Sequence, residues 1–255
     1  MRRAALGALA VQLQISRRNV MDYYWILLVP FFALIFMAVL VDAGRKDLLG
    51  YAVVGPLLIG VGQMGFYVAS EVVTRDLSSE VLELEIATPA PFPLIIAART
   101  ILLTSMALIG FIESWLLAWV VFDVRVPIHH PSILLVTLVV TTFAAGATAL
   151  ITTGLFSLNK SARSMQNTVT YPLYLLAGVL VPVTFLPDWV EPVSRLLFQS
   201  WSADLLRDSI SQAPVDDLLP RLLAIAGLGL AALASGSLIL TRMVDHLRRD
   251  GRLGL

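Results

Sequence analysis

Residues 132–157 read SILLVTLVVTTFAAGATALITTGLFS, a run that contains no charged side chain. About 20 mainly apolar residues suffice for a helix to cross the hydrocarbon core of a bilayer. Because backbone groups in lipid must pair internally, and strong short-period alternation is absent, the run predicts a membrane helix. Six such stretches occur, at about residues 24–41, 51–69, 95–122, 132–157, 168–187 and 219–241. The sequence therefore predicts an all-α membrane protein with six transmembrane helices, in one domain covering residues 1–255.

The composition agrees with a membrane protein and excludes several other classes. Apolar residues make up 58% of the chain and charged residues 14%, against roughly 45–50% and about 25% in soluble domains. A soluble domain of this size could not bury so much apolar surface, which excludes a water-soluble enzyme and a disordered chain. Lys+Arg and Asp+Glu number 18 each, so the net charge gives no indication of nucleic-acid binding. With no cysteine there is no disulfide or thiolate metal site, and we expect no metal site of another kind.

The distribution of basic residues predicts the orientation. If the N-terminus is cytoplasmic, 12 of the 18 Lys and Arg residues lie on the inner side and 6 on the outer side, as the positive-inside rule requires. Both termini are therefore expected in the cytoplasm, with the chain in the plasma (inner) membrane. Residues 4–20 carry apolar side chains at helical spacing from Leu6 to Leu13, which predicts an amphipathic helix lying in the inner membrane interface.

The connection between the second and third spans, residues 71–89, reads EVVTRDLSSEVLELEIATP. Ser78 or Ser79 is expected to cap the start of a short cytoplasmic helix whose first turn is acidic, and the prolines that follow end that helix. Such a helix exposes both charged and apolar side chains. From the residues alone, two interpretations stay open: an interfacial helix packed against the bundle, or a docking element for a soluble partner.

At this segment the sequence resembles the permeases of type 2 ATP-binding-cassette (ABC) exporters. The family carries an acidic/basic turn, then Leu-Glu-Leu, an apolar pair and Thr-Pro; it usually has Gly-Thr where this chain has Glu80-Val81. The resemblance implies that the segment is the coupling helix, which contacts the ATPase subunit. The residues assigned to ATPase docking are Asp76, Glu80, Leu82, Glu83, Leu84, Ile86, Thr88 and Pro89.

A second match to the family lies between the fifth and sixth spans. Family members follow the fifth span with Leu-Pro, two short helices that dip into the outer leaflet, and an acidic-x-x-Arg element. The corresponding re-entrant element here includes Pro187, Trp189, Asp204 and Arg207, with Gln199-Ser200-Trp201 where the family usually has Asn-Pro. Independently of the resemblance, Trp189 suits a headgroup-level position, and Asp204 and Arg207 at i, i+3 can pair on one helical face.

Two further features of the predicted spans have more than one interpretation. Glu113 is the one ionisable residue deep within a predicted span, where a charge is expensive and normally faces the bundle interior or a cavity. It is a pathway residue, a side chain that reaches the outer interface from a long helix, or a protonated group that is merely hydrogen-bonded. In the sixth span, Gly227, Ala231 and Ser235 recur at four-residue spacing, which favours close packing against another helix, either in the same subunit or across a dimer.

The chain has no G-x-x-x-x-G-K-[ST] sequence for binding ATP phosphates, so we expect it to be no enzyme by itself and to bind no cofactor. The resemblance implies two ABC ATPase subunits, which carry the ATP and Mg, and a second permease, either another copy or a homologue. The expected function is export of a hydrophobic or amphipathic substrate, a drug or antibiotic or a lipid. An intramembrane lipid-processing enzyme and an ion-coupled secondary transporter are the alternatives.

Overall fold

The computed structural model describes residues 2–45, 48–123, 126–156, 162–179, 183 and 187–249. Within these residues the chain is helical and contains no strand, which confirms the all-α prediction. The helices are α1 (Arg2–Arg18), α2 (Met21–Asp42), α3 (Leu49–Gln63), α4 (Val72–Ser78), α5 (Leu82–Ile86), α6 (Phe92–Met106), α7 (Leu108–Phe122), α8 (Pro131–Phe156), α9 (Ala162–Leu176), α10 (Glu191–Ser194), α11 (Phe198–Ile210) and α12 (Leu218–Arg249).

Five helical segments among the described residues are long and apolar enough to cross a membrane. They are Asp22–Asp42, Ala52–Ser78, Phe92–Phe122, Pro131–Phe156 and Leu218–Arg249. The predicted span at 168–187 runs onto residues outside the described ranges, and the described α9 has only 15 residues. The chain is a multi-pass membrane protein, and the count of six spans remains a prediction.

The second of these segments lies at the centre of the bundle. In the most apolar 18-residue stretch of this segment 89% is buried, whereas in the corresponding stretch of the last segment only 17% is buried. The side chains of Val53, Leu57 and Met64 are fully enclosed by their neighbours. The surface of the last segment is left mostly for lipid or a further subunit.

The last long helix packs closely on α8 through glycines. A Cβ atom at Gly236 would lie 2.6 Å from Cβ of Leu150, and one at Gly229 would lie 3.0 Å from Cα of Ala144. By contrast, a Cβ at Gly227 would meet no atom within 4 Å. Gly227 therefore does not belong to the face of α12 that packs on α8, and its packing against a second subunit stays a prediction. The apolar pattern identified the helix, but the choice of face depends on the shape of its neighbour.

The central segment is irregular between α3 and α4. Met64–Val68 forms a π-helical turn and Ala69–Glu71 a 3₁₀ turn, so the regular hydrogen-bond ladder is interrupted inside the bundle. Neighbouring side chains supply partners for the carbonyl groups there. Gln166 Nε2 donates to Phe66 O at 2.7 Å, and Thr153 Oγ1 donates to Ala69 O at 3.1 Å. These bonds satisfy backbone groups that would be costly to leave unpaired within a membrane.

Candidate functional site

The turn between α4 and α5 is the centre of the candidate docking segment, residues 71–89. The helix α4 ends with Ser79 as its C-cap, and Glu80 follows in the left-handed region with φ 58°. The amide of Val81 donates to Asp76 O at 3.0 Å and that of Glu80 to Leu77 O at 3.3 Å. This is the Schellman arrangement, in which the left-handed position is most often glycine. The geometry explains why the family usually has glycine where this chain has Glu80.

The two serines of this segment end a helix instead of starting one. Ser78 is the last residue of α4, and its Oγ donates to Arg75 O at 2.8 Å. The next helix, α5, begins at Leu82 without a side-chain cap. The expectation that Ser78 or Ser79 caps the start of the cytoplasmic helix was therefore wrong. A serine can stabilise either a helix start or a turn through local hydrogen bonds, and the sequence alone did not distinguish them.

The short helix α5 has one face packed on the bundle and one face exposed. Leu82 is fully buried and Ile86 packs against the same core, whereas 69% of the surface of Leu84 is exposed. Thr88 and Pro89 are exposed beyond the helix, and Thr88 Oγ1 donates to Glu85 O at 2.7 Å. The helix is therefore anchored by Leu82 and Ile86 and presents Leu84 at the surface.

Beneath α5 lies a buried arginine, Arg99 in α6, with only 2% of its surface exposed. Its two terminal nitrogens contact the carboxylate of Asp76 at 2.6 and 3.1 Å, and Nη1 also contacts Glu85 Oε1 at 2.7 Å. The third nitrogen, Nε, donates to Gln12 Oε1 at 2.9 Å. One guanidinium thus joins the ends of α4 and α5 to α6 and to α1. Charge-assisted, bidentate bonds of this kind are the strong ones among protein hydrogen bonds.

The hydrogen bonds continue from Gln12 to the start of α2. Gln12 Nε2 donates to Ser16 Oγ at 3.2 Å, and Ser16 Oγ donates to Asp22 Oδ2 at 2.9 Å. Arg75 Nη1 in turn donates to Asp22 Oδ1 at 3.0 Å, which closes a loop back to α4. We call this connected set the Arg99 network. It consists of Gln12, Ser16, Asp22, Arg75, Asp76, Glu85 and Arg99.

Three influences act on the pKa of the Glu85 carboxyl group, and they do not all have the same direction. Burial disfavours the charged form and raises the pKa of Glu85, while the nearby Arg99 guanidinium lowers it and Asp76 raises it further. The net direction is upward from the ordinary value of 4.5, because desolvation is the largest influence. One guanidinium therefore serves two carboxylates in a largely dehydrated place.

The structure divides the predicted docking residues into two groups. Asp76 and Glu85 belong to the Arg99 network, and Leu82 is buried under α5. Glu80 and Leu84 are exposed, and Glu83 is half-buried between them. No ATPase is present in the structure, so docking itself stays a prediction. Asp76, whose carboxylate is held by Arg99, is available to a partner only if that ion pair opens.

The predicted re-entrant element is a series of short helices at residues 187–210. Pro187 and Trp189 are exposed, Trp189 to 74% of its surface. The close partner of Asp204 is Arg195, with Nη1 to Oδ2 at 2.6 Å, whereas Arg207 approaches Asp204 only to 3.9 Å. Instead, Arg207 Nη2 donates to backbone carbonyls of residues 178 and 179, at 2.7 and 3.0 Å. Arg207 thereby holds the element against the chain that follows α9.

Glu113 lies in α7, half-buried, and its Oε2 has no hydrogen-bond partner among the described residues. The adjacent turn contains Trp115, whose Nε1 donates to Val126 O at 3.2 Å. These contacts favour none of the three interpretations of Glu113 over the others. Within the described residues, no group of three His, Asp or Glu side chains is placed to hold a metal ion.

The sequence analysis counted Arg99 only as a basic residue on the inner side and missed its structural position. A signal was nevertheless present. An arginine one to two turns into an apolar helix needs an acidic partner, and the sequence supplies several acidic residues between Asp76 and Glu85 just before it. The contribution of Gln12 carried no such signal, because its contact with Arg99 spans 87 positions along the chain.

The fold and this site define a helical multi-pass membrane protein in which two short helices, α4 and α5, are joined by a turn and held by the buried Arg99. The family model described as ABC-2 type transporter matches residues 8–210 of the chain, most of its length. The chain therefore belongs to the ABC-2 type transporter family, and the resemblance to type 2 ABC permeases is confirmed. Members of this family work with ABC ATPase partners. The comparison with curated proteins finds no match.

Proposed function

We propose that this ABC transporter permease is the membrane subunit of an ATP-driven exporter, and that a separate ATPase docks on the exposed side of residues 80–84. The observation that carries the proposal is the two-sided character of α5. Leu84 is exposed, whereas Leu82 is enclosed by the bundle. Buried apolar anchors usually dominate the energy of an interface, and charges at its rim mainly steer association. In this proposal Leu84 is the anchor, and Glu80 and Glu83 supply the acidic rim.

The Arg99 network supports a role for this segment in transmitting motion. A five-residue helix has little stability of its own, because isolated helices shorter than about 12–15 residues are marginal in water. Its position relative to the bundle is set by Leu82 and by the bonds from Arg99 to Asp76 and Glu85. A partner that displaces α5 therefore also displaces α6 and, through Gln12, α1.

The proposed assembly follows the family. It contains six-span permeases with both termini in the cytoplasm of a plasma membrane, two ATPase subunits, and a second copy of this chain or a homologous permease. ATP and Mg are bound by the ATPase subunits. The proposed cargo is hydrophobic or amphipathic, a drug or antibiotic or a lipid. Neither an intramembrane lipid-processing enzyme nor an ion-coupled transporter would require an ABC ATPase partner, so ATP dependence of transport separates these alternatives from the exporter.

The proposal is tested by co-purification of the ATPase with Leu84→Asp, together with ATP-driven transport. Leu219→Asp is the matched control, because Leu219 has a similar exposure, 70% against 69%, and lies at the start of α12, away from the docking segment. We expect Leu84→Asp to lose most of the bound ATPase and the transport, and Leu219→Asp to keep both. We expect Glu83→Ala to weaken docking and Glu80→Ala to affect it less than Leu84→Asp does. Normal ATPase binding and transport by both Leu84→Asp and Glu83→Ala would show that the segment is not the docking site.

A further inference from the structure

A cavity of about 430 Å³ lies within the subunit, away from the Arg99 network. Its described walls come from residues 61–66, 145–152, 196–199 and 228–235, together with Leu173. Clefts of about 300–1,000 Å³ are typical of sites for drug-sized ligands. Exposed Leu196 and Ser235 are among the lining residues, so the cavity opens to the surface of the subunit.

The described walls of the cavity are apolar and carry no charged side chain. The hydroxyl groups that line it already donate to backbone carbonyls of their own helices. Thr148 donates to Ala144 O at 2.8 Å, Thr152 to Ala149 O at 2.9 Å, and Ser235 to Ala231 O at 2.8 Å. A charged ligand would have no compensating group on these walls and would lose its hydration, which strongly disfavours it.

One polar group on the wall is left without a partner. Gln199, at the start of α11, has only 6% of its surface exposed, and its side-chain amide forms no hydrogen bond with the described residues. An amide at the wall of an apolar cavity gains a hydrogen bond when a ligand with a suitable polar group enters. A molecule in the cavity that offers a carbonyl or hydroxyl group would supply the missing hydrogen bond.

The position of this amide is set by close packing with the central segment. A Cβ atom at Gly62 would lie 2.9 Å from Gln199 Nε2 and 2.4 Å from Tyr174 Oη. The glycine therefore leaves the space that both polar groups occupy. Tyr174 already has a partner, because its hydroxyl donates to Ile59 O at 3.2 Å. The free hydrogen-bonding capacity at this point belongs to Gln199.

The chemistry of the walls favours a dissolved molecule over a bilayer lipid. The cavity lies beside residues 228–235 of α12 (Leu218–Arg249). The acyl chain of a phospholipid offers only methylene groups to Gln199. The ester carbonyls of the lipid adjoin a charged headgroup, for which the uncharged walls provide no partner. An apolar solute with its own polar group satisfies both the walls and the amide.

We infer that this cavity binds a neutral, apolar molecule of drug-like size whose carbonyl or hydroxyl group pairs with the Gln199 amide. As a statement about cargo, this inference rests on the proposed exporter function. Binding itself is measurable without the ATPase, so a failure of one proposal is distinguishable from a failure of the other.

The test uses benzophenone, a neutral aromatic ketone that is photoreactive, on the purified full-length permease in lipid nanodiscs. We expect its adducts, mapped by mass spectrometry of peptides, to concentrate in residues 61–66, 145–152, 196–199 and 228–235. Ala232→Phe places a ring at the cavity wall and should abolish this labelling. The control is Ala234→Phe on the same helix, at an exposed position outside the cavity lining, and should label normally.

The role of the amide is tested with Gln199→Leu, which keeps the size of the side chain and removes its polar atoms. We expect this variant to bind benzophenone about fivefold more weakly, the equivalent of one hydrogen bond. Diphenylmethane lacks the carbonyl group of benzophenone, so the affinity of Gln199→Leu for diphenylmethane, measured by competition with benzophenone labelling, should not fall. Adducts spread over lipid-facing helices, or labelling that Ala232→Phe leaves intact, would overturn the site. Loss of labelling when phospholipid is added to detergent-purified permease would identify an acyl chain as the occupant and overturn the inference.

Discussion

Replacement of Arg99 by methionine tests whether the Arg99 network holds the docking segment in place. Methionine preserves much of the length of the side chain but removes the charge and the four hydrogen bonds to Gln12, Asp76 and Glu85. Removal of one partner from a buried ion pair typically destabilises by about 3–5 kcal/mol, because the other charge stays buried without compensation. Here two carboxylates lose their partner, so we expect a loss in the upper part of this range.

The magnitude is checked with a double-mutant cycle. Asp76→Asn leaves Arg99 without its bidentate partner, but Glu85 still contacts Nη1 at 2.7 Å. If the two side chains stabilise the fold mainly through each other, Arg99→Met combined with Asp76→Asn should be less destabilising than the sum of the single changes. The coupling free energy between residues of one hydrogen-bond network is commonly about 0.5–3 kcal/mol. For the bidentate pair of Arg99 and Asp76 we expect a value near the upper end of this range.

The assay is equilibrium unfolding of the purified permease in mixed detergent micelles, followed by far-ultraviolet circular dichroism. Arg221→Met is the control, because Arg221 contacts Asp208 at a similar distance of 2.7 Å, but Asp208 is 43% exposed. An ion pair near solvent contributes about 0–1 kcal/mol, so this variant should be nearly as stable as the parent. The reasoning fails if Arg99→Met is destabilised no more than Arg221→Met, or if Arg99 and Asp76 show no coupling.

Two further predictions concern the same segment. Glu80→Gly should increase the free energy of unfolding by about 0.5–1 kcal/mol, because a side chain in the left-handed region at φ 58° is disfavoured relative to glycine. A lower free energy of unfolding for Glu80→Gly than for the parent would contradict this prediction. Burial raises the pKa of Glu85 above 4.5, so its stabilising contribution is full below that pH and is lost as the pH rises through the raised value. The stability of the parent relative to Glu85→Gln should therefore fall with increasing pH in this window, and a relative stability that rises there would show that Arg99 outweighs burial.

The helices and their apolar character were predictable from the sequence, whereas the contacts between them were not. Long runs without charge, such as 132–156, specify a helix directly, because every backbone group in lipid must be paired. Which side of that helix meets α12 depends on fitting one surface to another. The small residues from Gly227 onward indicated a packing stripe, but the close approach to α8 within the subunit uses Gly229 and Gly236.

The candidate site shows the same division between local and tertiary information. The motif at residues 82–89 located the short helix, since its Leu-Glu-Leu and Thr-Pro pattern is local in sequence. The inward role of Asp76 and Glu85 was not predictable from that pattern, because it depends on Arg99, which lies in a different helix. From the sequence alone, all the acidic residues of this segment are candidates for the rim of a docking site. The structure removes Asp76 and Glu85 from that set, because both bind the buried Arg99.

The two sides of α5 have different contacts, which supports the proposed transmission of motion from a docked ATPase to the bundle. Its inner side contributes Leu82 to the core and Glu85 to Arg99, and its outer side exposes Leu84. Contacts on the inner side tie α5 to α6 and, through Gln12, to α1 (Arg2–Arg18). Because packed interiors deform little, a push on Leu84 is shared by these elements instead of being absorbed within α5. The amphipathic first helix is therefore joined through Gln12 to the proposed docking segment, although the two are remote in the sequence.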